Sequence, residues 1–279
     1  MYQTIISVDE LSKQKDRSDW IVVDCRYDLA DLSSGYQSYL QSHIVGAIYA
    51  DVLNDLSGQP VTDHGRHPLP TADKLRKVFS SLGVDKHKQV VVYDASSGAF
   101  AARLWWLLRY MGHDAVAVLD GGWQAWRTAV LAVETGKGKC NPGAFTGEPR
   151  SEWLVTIDAV AAVPLLIDSR DAARYRGDVE PLDPVAGHIP GAINHCWKEN
   201  LAENGHFLDY GQLQQQFSQI YADTPAEQVV FYCGSGVSAC HNLLAAAHAG
   251  LAPARLYAGS WSEWCSETDR PIATGSEPA

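Results

Sequence analysis

Val229-Val230-Phe231-Tyr232-Cys233-Gly234-Ser235-Gly236-Val237-Ser238-Ala239 is the stretch whose reading decides the fold. Its first four residues form an apolar run that reads as a buried strand. From Ser238 to Ala249 the chain is rich in Ala and Leu and reads as a helix. Cys233 therefore ends a strand, opens a loop of small residues and stands just ahead of a helix. Backbone N–H groups at such a junction point inward, and a helix N-terminus carries partial positive charge. Both favour an anion. A thiol held there is expected to have its pKa lowered from about 8.5 towards neutrality. The functional reading is a ready thiolate in a cup of N–H donors. The competing reading is a buried structural cysteine, a common state of free Cys.

Working outward, the chain proves to be a repeat of itself. Val22-Val23-Asp24-Cys25-Arg26 matches Leu166-Ile167-Asp168-Ser169-Arg170, and His43-Ile44-Val45-Gly46-Ala47-Ile48 matches His188-Ile189-Pro190-Gly191-Ala192-Ile193. Gln89-Val90-Val91-Val92-Tyr93-Asp94 matches Gln228-Val229-Val230-Phe231-Tyr232-Cys233. Gly121-Gly122-Trp123 with Trp126 matches Gly259-Ser260-Trp261 with Trp264. The matches keep their order, which marks a tandem duplication. Where the second copy has Cys233, the first has Asp94. A carboxylate cannot carry a covalent group as a thiol can, so the first half is expected to be catalytically silent.

Each half alternates short apolar strands with amphipathic helices. Strands are expected near 21–25, 47–50, 89–94 and 115–120, and again near 164–169, 192–195, 228–233 and 254–258. Helices are expected near 72–82, 101–111, 123–129, 211–221, 238–249 and 261–267. Fully apolar strands alternating with helices predict an α/β fold, each half a parallel sheet flanked by helices. Ligands of such sheets bind at the carboxyl ends of strands, where Cys233 lies. The expected boundaries are a first domain over 1–130, a linker over 131–153, and a catalytic domain over 154–279.

The formal net charge of −11 argues against nucleic acid or an anionic membrane as the main partner. The six cysteines form no CxxC pair and no compact framework, so disulfides and zinc are not expected. The first residues carry no basic segment leading into an apolar stretch, and no run of 18 apolar residues occurs. The expectation is a soluble, cytoplasmic protein with reduced thiols and no membrane partner.

The Cys233 loop and the repeat resemble the rhodanese family of sulfurtransferases. Cys-Gly-Ser-Gly-Val-Ser-Ala is similar to the loop of its 3-mercaptopyruvate-specific members, in which Thr more often stands at the position of Ser238. The resemblance covers essentially the whole chain and implies two tandem rhodanese-like domains, the first inactive and walling the site. It implies that Cys233 takes sulfane sulfur from a small anionic donor as a persulfide, inside the loop Gly234, Ser235, Gly236, Val237, Ser238 and Ala239. A thiol, cyanide or a thioredoxin-like acceptor then removes the sulfur, with no metal or organic cofactor. Arg174 matches the family's substrate-binding arginine. His67, in His67-Pro68-Leu69-Pro70, matches a histidine that assists through a serine, and Phe100 falls where the first domain contributes an aromatic wall. The family's second substrate arginine follows a Glu-Pro pair. Here Glu180-Pro181 is followed by Leu182, so that arginine is missing.

The donor therefore stays open between 3-mercaptopyruvate, which the uncharged loop favours, and thiosulfate. Ser235 is either a hydrogen-bond donor to the reacting molecule or a loop-stabilising serine. Arg26, Arg170, His43 and His188, present in both copies, read as structural, as do the four tryptophans at helical spacing. A different class of function, a persulfide carrier serving a partner protein, also fits an intact cysteine loop. Cysteine phosphatases use a similar cradle but need an arginine at the position of Ala239 to support a phosphoryl group.

Overall fold

The computed structural model describes residues 1–59 and 65–278. The chain divides into two compact units. The first comprises Met1–Ser57, Pro70–Arg150 and Glu203–Phe207, and the second Gly58–Leu69, Ser151–Ala202 and Leu208–Ala279.

The first unit is built on a five-stranded sheet ordered Ile5–Ile6, Val116–Leu119, Gln89–Tyr93, Trp20–Asp24, Ile48–Tyr49. Every pairing in it is parallel. The central strand Gln89–Tyr93 is buried along its whole length, as the apolar run over 90–93 within it requires. The second unit repeats the arrangement with four strands, Arg255–Leu256, Val229–Tyr232, Leu165–Asp168 and Ile193–Asn194, again all parallel. Where the first unit has its edge strand Ile5–Ile6, the second keeps a single parallel bridge between Leu154 and Leu256.

Helices start where the chain offers caps. Thr71 accepts the Lys74 N–H ahead of Ala72–Ser81, and Asp209 with Gln212 forms a reciprocal capping box ahead of Tyr210–Tyr221. Short helices Val8–Gln14, Ser34–Gln41 and Ala172–Arg176 add to those expected from periodicity. Among the described residues, no helix is long and apolar enough to cross a membrane.

The repeated motifs are frames that hold the sheets. Arg26 forks onto Asp24 and Arg170 onto Asp168, with N–O distances down to 2.6 and 2.5 Å. Their guanidinium carbons lie 4.5 Å from the Trp123 ring centre and 4.8 Å from that of Trp261. His43 and His188 are fully buried, each with Nδ1 2.8 Å from a tyrosine carbonyl, those of Tyr39 and Tyr175. Trp126, Trp261 and Trp264 are core residues, and Trp123 is partly buried against the core, stacked on Tyr93.

Residues 131–150, within the span expected as a linker, are grouped with the first unit. Val133–Glu134 pairs antiparallel with His43–Ile44. Backbone N–H groups of Gly136, Gly143 and Arg150 bond to the carbonyls of Leu40, Ser80 and Tyr110. A segment whose backbone groups are satisfied in this way is part of the unit it covers. Residues 58–69, early in the chain, are grouped with the second unit, which brings His67 into the same unit as Cys233.

Candidate active site

Cys233 is the first residue past the strand Val229–Tyr232, and the helix Ala239–His248 begins beyond its loop. The loop is held from behind by the segment Gly259–Trp264. Trp261 N–H donates to the Cys233 carbonyl at 3.0 Å, and Ser262 N–H to the Gly234 carbonyl at 2.9 Å. The N–H of Cys233 donates to Ser260 Oγ at 3.1 Å, and that hydroxyl donates to the Tyr257 carbonyl at 3.0 Å. Gly236 makes the turn possible. Its φ is +74°, and a Cβ there would lie 2.3 Å from the Ala258 carbonyl oxygen.

The thiol sits at the bottom of this loop, 1% exposed. Burial pushes its pKa up. Hydrogen bonds from the Ser238 hydroxyl and from the N–H groups of Ser235 and Ala239 outweigh burial, and the net shift is downward. Cys25, also buried at the end of a strand, shows the opposite balance. Burial, reinforced by Asp24, Asp94 and Asp55, pushes its thiol well above the ordinary value. Cys240 is buried in the following helix and donates to the Gly236 carbonyl at 3.4 Å.

Among the loop side chains, Ser235 lies against an imidazole. Its Oγ lies 2.7 Å from Nδ1 of His67, and both residues are buried. Arg174, on the helix Ala172–Arg176, borders the loop. A Cβ at Gly234 would lie 3.4 Å from its Nη1. Its guanidinium is held by Glu180 at 2.6 and 3.1 Å and by Asp183 at 3.2 Å. Phe100 belongs to the first unit, where its ring packs edge-on against Tyr27 at 5.3 Å.

Sequence reasoning missed Arg66. Its Nη2 would lie 2.8 Å from a Cβ at Gly234, closer than either terminal nitrogen of Arg174. Its guanidinium pairs with Asp183, and its N–H donates to Ser262 Oγ at 3.1 Å. Burial lowers its pKa and nearby Arg174 lowers it further, while Cys233 acts in the opposite sense. The available signal was adjacency, because Arg66 immediately precedes His67.

In the first unit, the equivalent position is filled differently. Asp94 is fully buried, and its Oδ1 accepts the N–H groups of Ser96 and Gly98 at 2.8 and 2.9 Å. Oδ2 accepts those of Phe100 and Ala101, both at 2.8 Å. Trp123 N–H donates to the Asp94 carbonyl at 2.8 Å, just as Trp261 does to Cys233.

The family model of the rhodanese-like domain matches this chain twice, over residues 7–129 and 153–267. The chain belongs to the rhodanese family. Among curated rhodanese relatives, a probable 3-mercaptopyruvate sulfurtransferase of Pseudomonas aeruginosa is 46% identical over 279 residues, spanning 97% of this chain and 98% of the relative. A putative thiosulfate sulfurtransferase of Mycobacterium tuberculosis is 39% identical over 283 residues, spanning 98% of each. Among solved structures, the 3-mercaptopyruvate sulfurtransferase from Leishmania major superposes with a TM-score of 0.87 at 30% identity, covering 97% of this chain and 76% of that one. The tandem rhodanese fold expected from the repeat is therefore the fold of this chain.

Proposed function

We propose that this sulfurtransferase enzyme works through a persulfide on Cys233, with 3-mercaptopyruvate as its preferred donor and thiosulfate as the alternative. The observation that carries the reading is the Cys233 loop, where hydrogen bonds to a buried thiol overcome the cost of burying its charge. The thiolate attacks the donor's sulfane sulfur, forming one S–S bond. With 3-mercaptopyruvate the C–S bond breaks. The electron pair passes to the pyruvate enolate, and the donor's thiol proton ends on carbon to give pyruvate. With thiosulfate the S–S bond of the donor breaks and sulfite leaves with the pair. In the second half-reaction a thiolate or cyanide attacks the outer sulfur of Cys233, releasing a new persulfide or thiocyanate and restoring the thiolate.

The Ser235–His67 pair supports the choice of donor. An enolate oxygen gains negative charge as the C–S bond breaks, and a hydroxyl backed by imidazole can donate to it. Sulfite leaves without needing a proton. The loop itself carries no charged side chain. The first rhodanese domain, with its carboxylate at Asp94, is proposed to carry no sulfur.

The decisive experiment mixes reduced protein with each donor and measures intact and peptide mass. One added sulfur on the Cys233 peptide, appearing faster from 3-mercaptopyruvate, is the expected result. Ser235→Ala should slow loading from 3-mercaptopyruvate about tenfold and leave thiosulfate loading nearly unchanged. A free Cys233 after exposure to both donors would remove the persulfide mechanism.

A further inference from the structure

We infer that Asn242 is a positioning residue for sulfur transfer. Its carboxamide ties the first turn of the helix Ala239–His248 to the ends of two strands of the same unit, and so keeps the Ser238 hydroxyl and the Ala239 N–H aimed at the sulfur of Cys233. The inference rests on the persulfide reading of the Cys233 loop and adds to it the residue that holds the cradle in place.

Asn242 is a costly choice for its position. Asn competes with helix formation by bonding to nearby backbone, and a buried carboxamide without partners is destabilising. Asn242 nevertheless lies inside the helix Ala239–His248 and is fully buried. Its bonds run outward from the helix. Nδ2 donates to Ser169 Oγ at 3.0 Å and to the His195 carbonyl at 2.9 Å. Oδ1 accepts from Asn200 Nδ2 at 2.6 Å. Both amide hydrogens and the carbonyl oxygen are thereby engaged.

The partners stand where they can fix the cradle. Ser169 follows the strand Leu165–Asp168, and its N–H donates at 2.8 Å to the carbonyl of Tyr232, the residue before Cys233. His195 follows the strand Ile193–Asn194, and its N–H donates to the Asp168 carbonyl at 2.9 Å. The carboxamide therefore joins the helix end of the cradle to its sheet end. Asn200, also fully buried, locks the joint from the far side. Its Oδ1 accepts from His195 Nε2 and Gln216 Nε2, both at 3.1 Å, and its Nδ2 also donates to His241 Nδ1 at 3.1 Å. A satisfied buried network of this kind rigidifies what it joins.

The helix needs a tie of this sort. Ser238 stands at its N-cap but makes no side-chain cap bond, and its hydroxyl serves the Cys233 sulfur instead. The first copy has different chemistry at both ends of the joint. Arg103 stands nine residues beyond Asp94, as Asn242 does beyond Cys233, and Cys25 stands where the second copy has Ser169. Both Arg103 and Cys25 are fully buried. The hydroxyl–carboxamide pair thus accompanies the copy that carries the proposed nucleophile.

The test is Asn242→Leu, which roughly keeps the volume, changes no charge and removes all three bonds. The pH profile of Cys233 alkylation by a neutral reagent should move upward by about one unit as its donors lose their aim. The maximal rate of single-turnover persulfide formation at neutral pH, followed by mass, should fall about tenfold. The half-saturating concentration of 3-mercaptopyruvate or thiosulfate should stay within about twofold, because the buried carboxamide acts through the loop and not on the donor. Ser169→Ala removes one bond of the three and should move both readouts the same way by less. It decides the matter if Asn242→Leu does not fold. A folded variant with a lower denaturant midpoint but an unmoved profile and maximal rate would make Asn242 a residue of stability alone and overturn the inference. Alkylation needs no sulfur donor, so the two readings fail separately. If the unaltered protein loads sulfur from neither donor, the persulfide reading falls, and with it the part of Asn242 in sulfur transfer. If it loads normally and the variants match it, only the positioning role is wrong.

Discussion

The two copies of the strand–loop–helix unit use the same cradle for different occupants. At the end of Gln89–Tyr93, the Asp94 carboxylate accepts four backbone N–H groups, two on each oxygen. At the end of Val229–Tyr232, a single sulfur accepts from Ser235, Ala239 and the Ser238 hydroxyl. Ser96 and Ser235 stand two residues beyond the strand-ending side chain, and Phe100 and Ala239 stand six beyond it. The first loop is therefore not a decayed site whose donors have been lost. Its donors are present and filled by the protein's own anion. A carboxylate brings two oxygens to the cup, whereas a thiolate presents one atom.

Breaking the comparison at its active end gives the largest effect. Cys233→Ser should reduce transfer to the uncatalysed background, because a hydroxyl in the same cup is a poor nucleophile at neutral pH and forms no persulfide. Loss of activity should coincide with loss of added sulfur in the mass of the protein. Substantial remaining transfer would mean that the first loop, or another cysteine, carries the chemistry.

At the filled end the expected effect is on stability. Asp94→Ala leaves four N–H groups, two of them buried and two part-buried, without their acceptor and should cost about 3 kcal/mol, read as a lower denaturant midpoint. Asp94→Asn should cost less, and its pH dependence sharpens the point. Burial raises the Asp94 pKa above its ordinary 3.8, against the lowering effect of its hydrogen bonds. The folded state then holds a proton that the unfolded state has released. Stability contributed by this group falls as pH rises from about 3.8 through the raised value. The stability of the unaltered protein relative to Asp94→Asn should decline across that window. A flat difference between the two would show that Asp94 titrates no differently in the folded and unfolded chains.

What was legible in the sequence follows the same division between local and distant causes. The Cys233 junction needs only a strand, small residues and a helix in succession, and the duplication supplied its own control in Asp94. The helix Val8–Gln14 was also written locally, since Ser7 and Glu10 form a capping box, but its brevity hid it. Ser34–Gln41 has no side-chain cap and no charge pattern at either end, so nothing local announces it. The segment 131–150 looked like a linker because its ties are backbone hydrogen bonds, which leave little trace in composition. Arg66 was hidden for a different reason. Its relation to Gly234 arises from the packing of 65–69 within the second unit, and no spacing in the chain encodes that. Likewise, Glu180 was read only as a marker for the absent arginine, while in the fold it holds Arg174.

The smallest predicted effect concerns the hydroxyl that distinguishes the two cradles. Among the described residues, the Asp94 carboxylate accepts four backbone N–H groups, whereas Cys233 adds the side chain of Ser238. Of the contributions that lower the thiol pKa, the Ser238 hydrogen bond is the largest, ahead of the two backbone N–H groups. Ser238→Ala removes that donor and leaves the backbone in place. The thiol should then titrate at higher pH, and the pH profile of Cys233 alkylation should move upward. At neutral pH the alkylation and sulfur-loading rates should fall together by a few-fold, because both follow the thiolate fraction. Ser238→Thr keeps the hydroxyl and should preserve the profile. If Ser238→Ala leaves the profile where it was, the backbone N–H groups alone poise the thiol. The two loops would then differ only in the atom each presents to the cup.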